Sequence, residues 1–183
     1  MKRLSIIAGL ALAMLCSMGC SKFEDIFNGN DKDVISPISL SADSEEDVFS
    51  YEEVYEIASA ILPDGWYKYI YGSEPGEPTA QATVINDDQI INDLVSKYDL
   101  KSRLSDADFS NCSIIAGYFI TAMSNYAITK QRIKHNSKGI QLYLKIETAG
   151  DYGYASPTRH YFVTFYPQLP NGDVEVYRSD IAQ

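Results

Sequence analysis

The chain has 183 residues, a length that favours a single domain with a short extension. Hydrophobic residues make up 45% of the sequence, which is typical of a packed core and argues against an intrinsically disordered chain. The 25 Asp and Glu residues outnumber the 15 Lys and Arg residues and give a net charge of −10, so no surplus of cations is present to bind nucleic acid.

The first residues have the pattern of a secretory signal. Lys2 and Arg3 precede an apolar run at 4–15 that only Ser5 interrupts. A helix of this length reaches about 18 Å, which is short of the roughly 30 Å hydrocarbon core of a bilayer. The run therefore indicates a cleaved signal peptide at 1–19 rather than a permanent span.

A small residue directly precedes a cysteine at 17–20, which read Ser-Met-Gly-Cys. This resembles a bacterial lipobox, although Ser17 stands where most lipoboxes carry an aliphatic residue. The resemblance implies that Cys20 is acylated and anchors the protein in a membrane, with an ordinary signal peptide as the alternative. Residues 21–25 resemble the lysine-plus-acidic signal of surface-exposed lipoproteins of the Bacteroides type. We therefore expect the outer membrane and a surface-exposed position, with a periplasm-facing position as the alternative.

The cysteines leave no internal disulfide if this processing occurs. Cys16 departs with the signal and Cys20 carries the lipid, so Cys112 is the remaining thiol. Cys112 opens an apolar run at 112–120, and we interpret it as a buried small hydrophobe rather than a nucleophile.

The segment after Cys20 is acidic and poor in large apolar side chains. Residues 21–53 hold ten acidic and two basic residues. Such a composition cannot bury enough surface to offset the entropy lost on ordering. We predict a flexible acidic tether at 20–46 and one globular domain at 47–183.

Two helices are predicted from capping patterns that precede apolar residues at helical spacing. Ser50 and Glu53 form a capping box, and Pro63 ends the pattern that follows. A second helix is predicted at 87–98, where Asp87 complements the helix dipole. Its apolar face consists of Ile90, Ile91, Leu94, Val95 and Tyr98.

The remaining pattern is that of strands. Predicted strands lie at 66–71, 114–120, 126–133, 140–147, 161–166 and 174–177, and 114–120 is apolar enough to be covered on both faces. Asn171-Gly172 is typical of a tight turn with positive φ. The predicted fold class is α+β, a mostly antiparallel meander with one or two covering helices. A β-sandwich or a barrel-like arrangement is the alternative.

Four features follow one another along the chain: the segment 85–95, Asp-Ala-Asp-Phe-Ser at 106–110, an apolar strand, and the segment 161–176 with Pro-Gln-Leu-Pro at 167–170. This order resembles a group of uncharacterised lipoproteins of the Bacteroides type. More distantly, residues 84–178 resemble the PrcB-type domain, which occurs in proteins that stabilise a partner protease. The resemblance implies that Phe109 fills the core, that Asp108 holds a turn and that the partner is a protein. Residues 124–126 stand where the PrcB-type pattern has two glycines and a tyrosine.

Residue types that carry catalysis are sparse. His135 lies in a predicted turn and His160 at the start of a predicted strand, and neither has neighbours at the spacing of a zinc site or a catalytic triad. Asp106 and Asp108 could pair as in a hydrolase, but a structural role in an Asp-rich loop is the simpler interpretation. We therefore predict no enzyme, no metal and no cofactor.

Tyrosine is unusually abundant, with 14 residues. Tyr67, Tyr69 and Tyr71 share one face of the predicted strand at 66–71. Tyr152 and Tyr154 lie in a predicted loop, where contacts with partners are common. Exposed tyrosines could bind a protein or a glycan, whereas packing at the edge of the core is the alternative. The sequence thus predicts a non-catalytic, lipid-anchored module that binds an envelope protein, with carbohydrate binding as the alternative.

Overall fold

A computed structural model describes residues 23–28, 33–38, 49–67, 78–104, 107–122, 125–137, 139–149 and 157–182. The chain divides into two compact units, Met1–Val34 and Ile35–Gln183. In the first unit, residues 23–27 are helical, and the rings of Phe23 and Phe27 lie 5.3 Å apart. The predicted signal peptide and Cys20 lie outside the described residues.

The second unit contains strands β2 to β7 and three helices. The strands are β1 Val34–Ile35, β2 Ala80–Ile85, β3 Cys112–Thr121, β4 Asn125–Asn136, β5 Gly139–Ala149, β6 Thr158–Pro167 and β7 Asp173–Ala182, of which β1 begins in the first unit. The helices are α1 Tyr51–Ile61, α2 Asp88–Lys97 and α3 Leu100–Arg103, and a 3₁₀ turn spans Phe109–Asn111.

The strands form one curled, mixed sheet in the order β1-β4-β5-β7-β2-β3-β6. The pairs β2–β3, β3–β6, β4–β5 and β2–β7 are antiparallel, whereas β5 and β7 are parallel. The group β4-β5-β7 joins the group β2-β3-β6 through two pairs, Ala82 with Val174 and Thr83 with Asp173. The α+β class and the barrel-like alternative both describe this sheet, but the prediction of a mostly antiparallel meander is only partly right.

The predicted tight turn at Asn171-Gly172 is wrong. Strands β6 and β7 are not neighbours, so the chain crosses between them, and neither residue has a positive φ. The tight hairpin joins β4 to β5, where Asn136 pairs with Gly139 and Gly139 has a φ of 122°. His135 therefore lies in β4 rather than in a turn, although its side chain is exposed.

Both predicted helices begin at their predicted caps. The Ser50 hydroxyl accepts a hydrogen bond from the Glu53 N–H, and the Glu53 carboxylate accepts one from the Ser50 N–H. The Asp87 carboxylate accepts from the N–H groups of Gln89 and Ile90. These bonds satisfy donors that the first turn of a helix leaves without partners.

Strand β3 is buried along its whole length, which confirms the prediction that both of its faces are covered. One face carries Ile114 and Ala116 against the helices, and the other carries Ile115 and Phe119 into the interior of the curl. The helix-side cluster also contains Phe109, whose ring lies 5.4 Å from that of Phe165. Phe109 thus fills the core as the resemblance implied.

The apolar alternation predicted for β5 is also confirmed. Ile140, Leu142, Leu144 and Ile146 are all buried inside the curl. Strand β2, by contrast, is absent from the predicted elements, because Ala80, Gln81 and Ala82 have weak strand preference.

Part of the predicted tether packs on the sheet. Ile35 packs against the apolar interior of the curl. The N–H of Ile38 donates to the carbonyl of Phe165 in β6 at 2.8 Å. Residues 35–38 are therefore held by the sheet.

Gly117 of β3 lies close to the backbone of β2 and to a side chain of β6. A Cβ at this position would lie 2.8 Å from the Cα of Ala82 and 2.9 Å from the ring of Phe162, and it would also overlap the carbonyl oxygen of Gln81. We expect Gly117→Ala to lower the free energy of unfolding by about 3 kcal/mol or more, because backbone atoms cannot move aside cheaply. Urea unfolding measures this loss.

The matched control is Gly172→Ala, where a Cβ would meet nothing within 4 Å. We expect this variant to stay within about 0.5 kcal/mol of the parent. A Gly117→Ala variant as stable as the control would contradict the close approach of the three strands.

Candidate functional site

Tyr67 is the member of the predicted tyrosine surface that the structure describes. Tyr69, Tyr71, Tyr152 and Tyr154 lie outside the described residues. Trp66 lies in a turn and Tyr67 follows it outside any strand, so the predicted strand is wrong at its first two positions. The cause is local, because the Trp66 N–H donates to the carbonyl of Pro63 and closes a turn directly after α1.

Tyr67 belongs to a group of six aromatic side chains that different elements bring together. We call it the aromatic cluster, and it consists of Tyr51, Tyr55, Trp66, Tyr67, Tyr118 and Tyr161. The ring of Tyr67 stacks on that of Tyr161 at 5.1 Å, and Tyr55 meets Tyr161 edge-on at 5.2 Å. Trp66 meets Tyr118 edge-on at 6.0 Å. Such offset and edge-to-face pairs are the favoured aromatic geometries.

Arg159 of β6 fixes the base of the aromatic cluster. Its guanidinium lies 4.2 Å from the centre of the Tyr118 ring, and it donates a hydrogen bond to the carbonyl of Trp66. The carbonyl of Arg159 accepts from the Tyr55 hydroxyl at 3.3 Å. A buried cation over an aromatic face is a favourable contact. Arg159 therefore ties both the turn that carries Tyr67 and helix α1 to the edge strand.

The aromatic cluster is graded from a buried base to an exposed rim. Tyr118 and Tyr161 are buried, whereas Tyr55, Trp66 and Tyr67 are half-buried. Tyr51 is 54% exposed, and within the described residues it is the one large hydrophobic side chain that is exposed. Its hydroxyl donates to that of Tyr55 at 2.7 Å, and burial together with this bond raises the pKa of Tyr55. The rim thus presents aromatic rings and hydroxyl groups.

Tyr51 and Tyr55 were not among the predicted site residues. They lie four residues apart on α1, a spacing that places two side chains next to each other on a helix. That spacing was visible in the sequence. The contact of Tyr55 with Tyr161, more than 100 residues away, was not.

His160 is buried inside the curl. Its place directly before a predicted strand had suggested the edge of a loop instead. It is 5% exposed, and its ring lies 4.2 Å from that of Tyr126 and 5.5 Å from that of Phe119. Among the described residues, neither ring nitrogen has a hydrogen-bond partner. Burial lowers the pKa of His160 to about 4, so the ring is neutral at pH 7.

The other candidate reactive groups have structural roles. The Cys112 thiol is buried against the carbonyl of Phe109, and burial raises its pKa to about 11, which confirms its interpretation as a small hydrophobe. Asp108 accepts hydrogen bonds from the N–H and hydroxyl of Ser110, which lower its pKa. Asp108 thus holds a turn, as the resemblance implied. Asp106 lies outside the described residues.

Within the described ranges, no three His, Cys, Asp or Glu side chains come together as metal ligands would. None of the helices in this part of the chain is both long and apolar enough to cross a membrane.

No protein-family model, curated protein or solved structure matches the chain.

Burial of His160 predicts a pH dependence of stability. In the unfolded chain His160 takes up a proton near pH 6.5, whereas the folded protein keeps it neutral down to about pH 4. The unfolded state therefore binds more protons between these values, and stability falls as the pH falls. We expect a loss of about 2 kcal/mol from this residue between pH 7 and pH 5, measured by urea unfolding.

The variant His160→Phe keeps a ring against Tyr126 and Phe119 and should remove this part of the pH dependence. His135→Phe, at an exposed position of β4, is the control and should retain it. Equal pH profiles for His160→Phe and the parent would contradict a buried, neutral His160.

Proposed function

We propose that the protein is a non-catalytic lipoprotein, anchored in the cell envelope through Cys20, that binds another envelope protein. The observation that carries the binding role is the aromatic cluster, whose exposed rim continues into buried rings. Tyrosine and tryptophan are enriched at the centres of protein interfaces, because each ring buries a large area and keeps a polar tip.

The aromatic cluster is held in place before any partner arrives. Its rings pack on one another, and Arg159 fixes the turn that carries Trp66 and Tyr67. A partner would therefore lose little additional conformational freedom in ordering them. Exposed ion pairs on α1 join Glu53 to Arg103 and Glu56 to Lys97 and would supply a polar border. The resemblance of residues 84–178 to the PrcB-type domain favours an envelope protease as that partner.

Carbohydrate binding is the alternative, and the exposure of Tyr51 favours it. A flat ring that is 54% exposed can stack on the apolar face of a sugar. The two roles differ in the surface they use. A sugar would need the open face of Tyr51, whereas a protein would also cover the half-buried rings of Tyr55 and Tyr67.

A photo-cross-linker placed at the rim tests the protein-binding role in living cells. With Tyr51→p-benzoylphenylalanine we expect one discrete adduct of higher mass, because the substituted ring lies within the interface. Adding Tyr67→Ala should lower the adduct yield at least about fivefold, since Tyr67 supports the same rim. Gel electrophoresis and mass spectrometry measure the yield and identify the adduct.

The control is Asp93→p-benzoylphenylalanine, an exposed position on α2, which should give no discrete adduct. Identical adducts from both positions would count against a specific interface at the aromatic cluster. Binding of the full chain to a glycan array that is lost with Tyr51→Ala would favour the carbohydrate alternative.

The anchor is tested separately through Cys20. We expect the mature protein to begin at an acylated Cys20 and to sediment with the outer membrane. Cys20→Ser should abolish acylation and leave an uncleaved precursor, because the lipobox cysteine accepts the lipid before cleavage. Mass spectrometry of the native N-terminus measures both, and an unmodified start at another residue would overturn the anchor. Protease treatment of intact cells distinguishes a surface-exposed from a periplasm-facing domain.

A further inference from the structure

The outer face of β4, β5 and β7 forms a second surface, built from strands other than those of the aromatic cluster. Ile133, Leu142 and Leu144 are buried inside the curl, so the residues next to them along each strand point outward. The strand registers arrange the outward residues in rows, the first of which is Ala127, Glu147 and Ile181. The next three rows are Lys130, Lys145 and Ser179; Arg132, Tyr143 and Tyr177; and Lys134, Gln141 and Glu175. We call this surface the basic face.

Positive charge is concentrated on one strand of the basic face. Lys130, Arg132 and Lys134 occupy alternate positions of β4, and Lys130 lies directly opposite Lys145. Like charges directly opposite each other destabilise a strand pair. The chain as a whole carries a net charge of −10, so its composition does not explain a row of cations. An anionic partner would offset the repulsion between these cations, so the surface is suited to such a partner.

Among the described residues, most of the outer backbone edge of the same strand has no neighbouring strand. Strand β4 has 12 residues, and in the described part of the chain its outer neighbour is β1, which has two. Most of the outer edge of β4 therefore has no described strand beside it. Such an edge presents N–H and C=O groups that an extended segment can pair with.

We propose that β4 is the docking strand for an extended acidic segment of a partner protein. The segment would pair with the open edge of β4 and place a carboxylate beside each of Lys130, Arg132 and Lys134. Alternate residues of any strand repeat at about 6.8 Å, so acidic residues at every second position match the three cations in register. This inference rests on the proposed protein-binding role, but it uses a surface distinct from the aromatic cluster.

The stacked pair of Tyr143 and Tyr177 continues the basic face behind Arg132. Their rings are nearly parallel and lie 5.0 Å apart. A hydrogen bond with Glu175 raises the pKa of Tyr177 to about 12, so the Tyr177 hydroxyl is neutral at pH 7. Flat rings next to cations would also suit an acidic polysaccharide, and the experiment has to separate that ligand from a peptide strand.

The test measures binding of fluorescein-labelled peptides to the full chain in detergent by fluorescence anisotropy. The probe is Thr-Glu-Val-Glu-Val-Glu-Val-Thr, and the control peptide has Gln in place of each Glu. We expect the Glu peptide to bind at least about tenfold more tightly than the Gln peptide, and its affinity to fall as salt is added. Equal affinities for the two peptides would overturn the proposal.

Two N-methylated versions of the Glu peptide test strand addition. In an added strand the N–H groups of alternate residues point to β4, and the others point to solvent. One peptide is methylated at its valine nitrogens and the other at its glutamate nitrogens. The peptide whose methylated nitrogens would point to β4 should not bind, whereas the peptide whose methylated nitrogens would point to solvent should bind nearly as before. Equal binding of both methylated peptides would mean that charge alone attracts the peptide, and strand addition would be wrong.

The protein variants locate the site. The affinity for the Glu peptide should fall about tenfold or more in the triple variant that combines Lys130→Gln, Arg132→Gln and Lys134→Gln. Lys97→Gln with Lys101→Gln, which removes charge from α2 and α3, should leave it unchanged, as should Tyr51→Ala. Urea unfolding of each variant separates loss of binding from loss of fold. Loss of peptide binding in the α2 and α3 variant would place the site elsewhere and overturn the assignment to β4.

Other occupants give different results. Binding of polygalacturonate to the basic face without binding of the Glu peptide would assign it to a glycan and overturn the proposal. A dimer in sedimentation that the β4 triple variant abolishes would assign the edge to a second copy of the chain and also overturn it. Failure of the peptide while the adduct at position 51 persists would remove this inference and leave the proposed function standing.

Discussion

Burial of β3 on both faces is the constraint on which the rest of the second unit depends. Its ten residues separate a helix-side layer from the interior of the curl, and each layer recruits residues from distant parts of the chain. Gly117 lies within this strand, where atoms of Ala82 in β2 and Phe162 in β6 leave no room for a Cβ. Because two layers share one strand, a change in β3 reaches both the aromatic cluster, through Tyr118, and the apolar interior, through Phe119.

Local patterns predicted the elements that local physics determines. The capping box at Ser50, the cap at Asp87 and the alternation from Ile140 to Ile146 each follow from residues a few positions apart. Two features of the sheet have no such local signal. The parallel pairing of β7 with β5 and the insertion of β2 depend on contacts between strands far apart in the chain, and β2 is too rich in alanine to stand out.

The candidate surfaces also combine features that the local sequence predicts with features that depend on distant contacts. Tyr67 was predicted from tyrosine abundance, although it faces Tyr161 from a turn and not from a strand. Arg159 and His160 are neighbours in sequence with opposite outcomes, because one side chain lies on the helix side and finds partners, whereas the other enters the apolar curl. The alternation of Lys130, Arg132 and Lys134 was legible in the sequence, but the open edge beside them required the order of strands.

The attachment of Ile35 and Ile38 to the sheet shortens the segment that would connect the domain to the proposed anchor at Cys20. A tether that ended at residue 46 would reach roughly 90 Å when fully extended. Because Ile35 packs on the sheet, a lipid on Cys20 would leave a connecting segment of roughly 50 Å at most. If the proposed anchor exists, partners of the protein would therefore bind closer to the bilayer than a tether ending at residue 46 would allow.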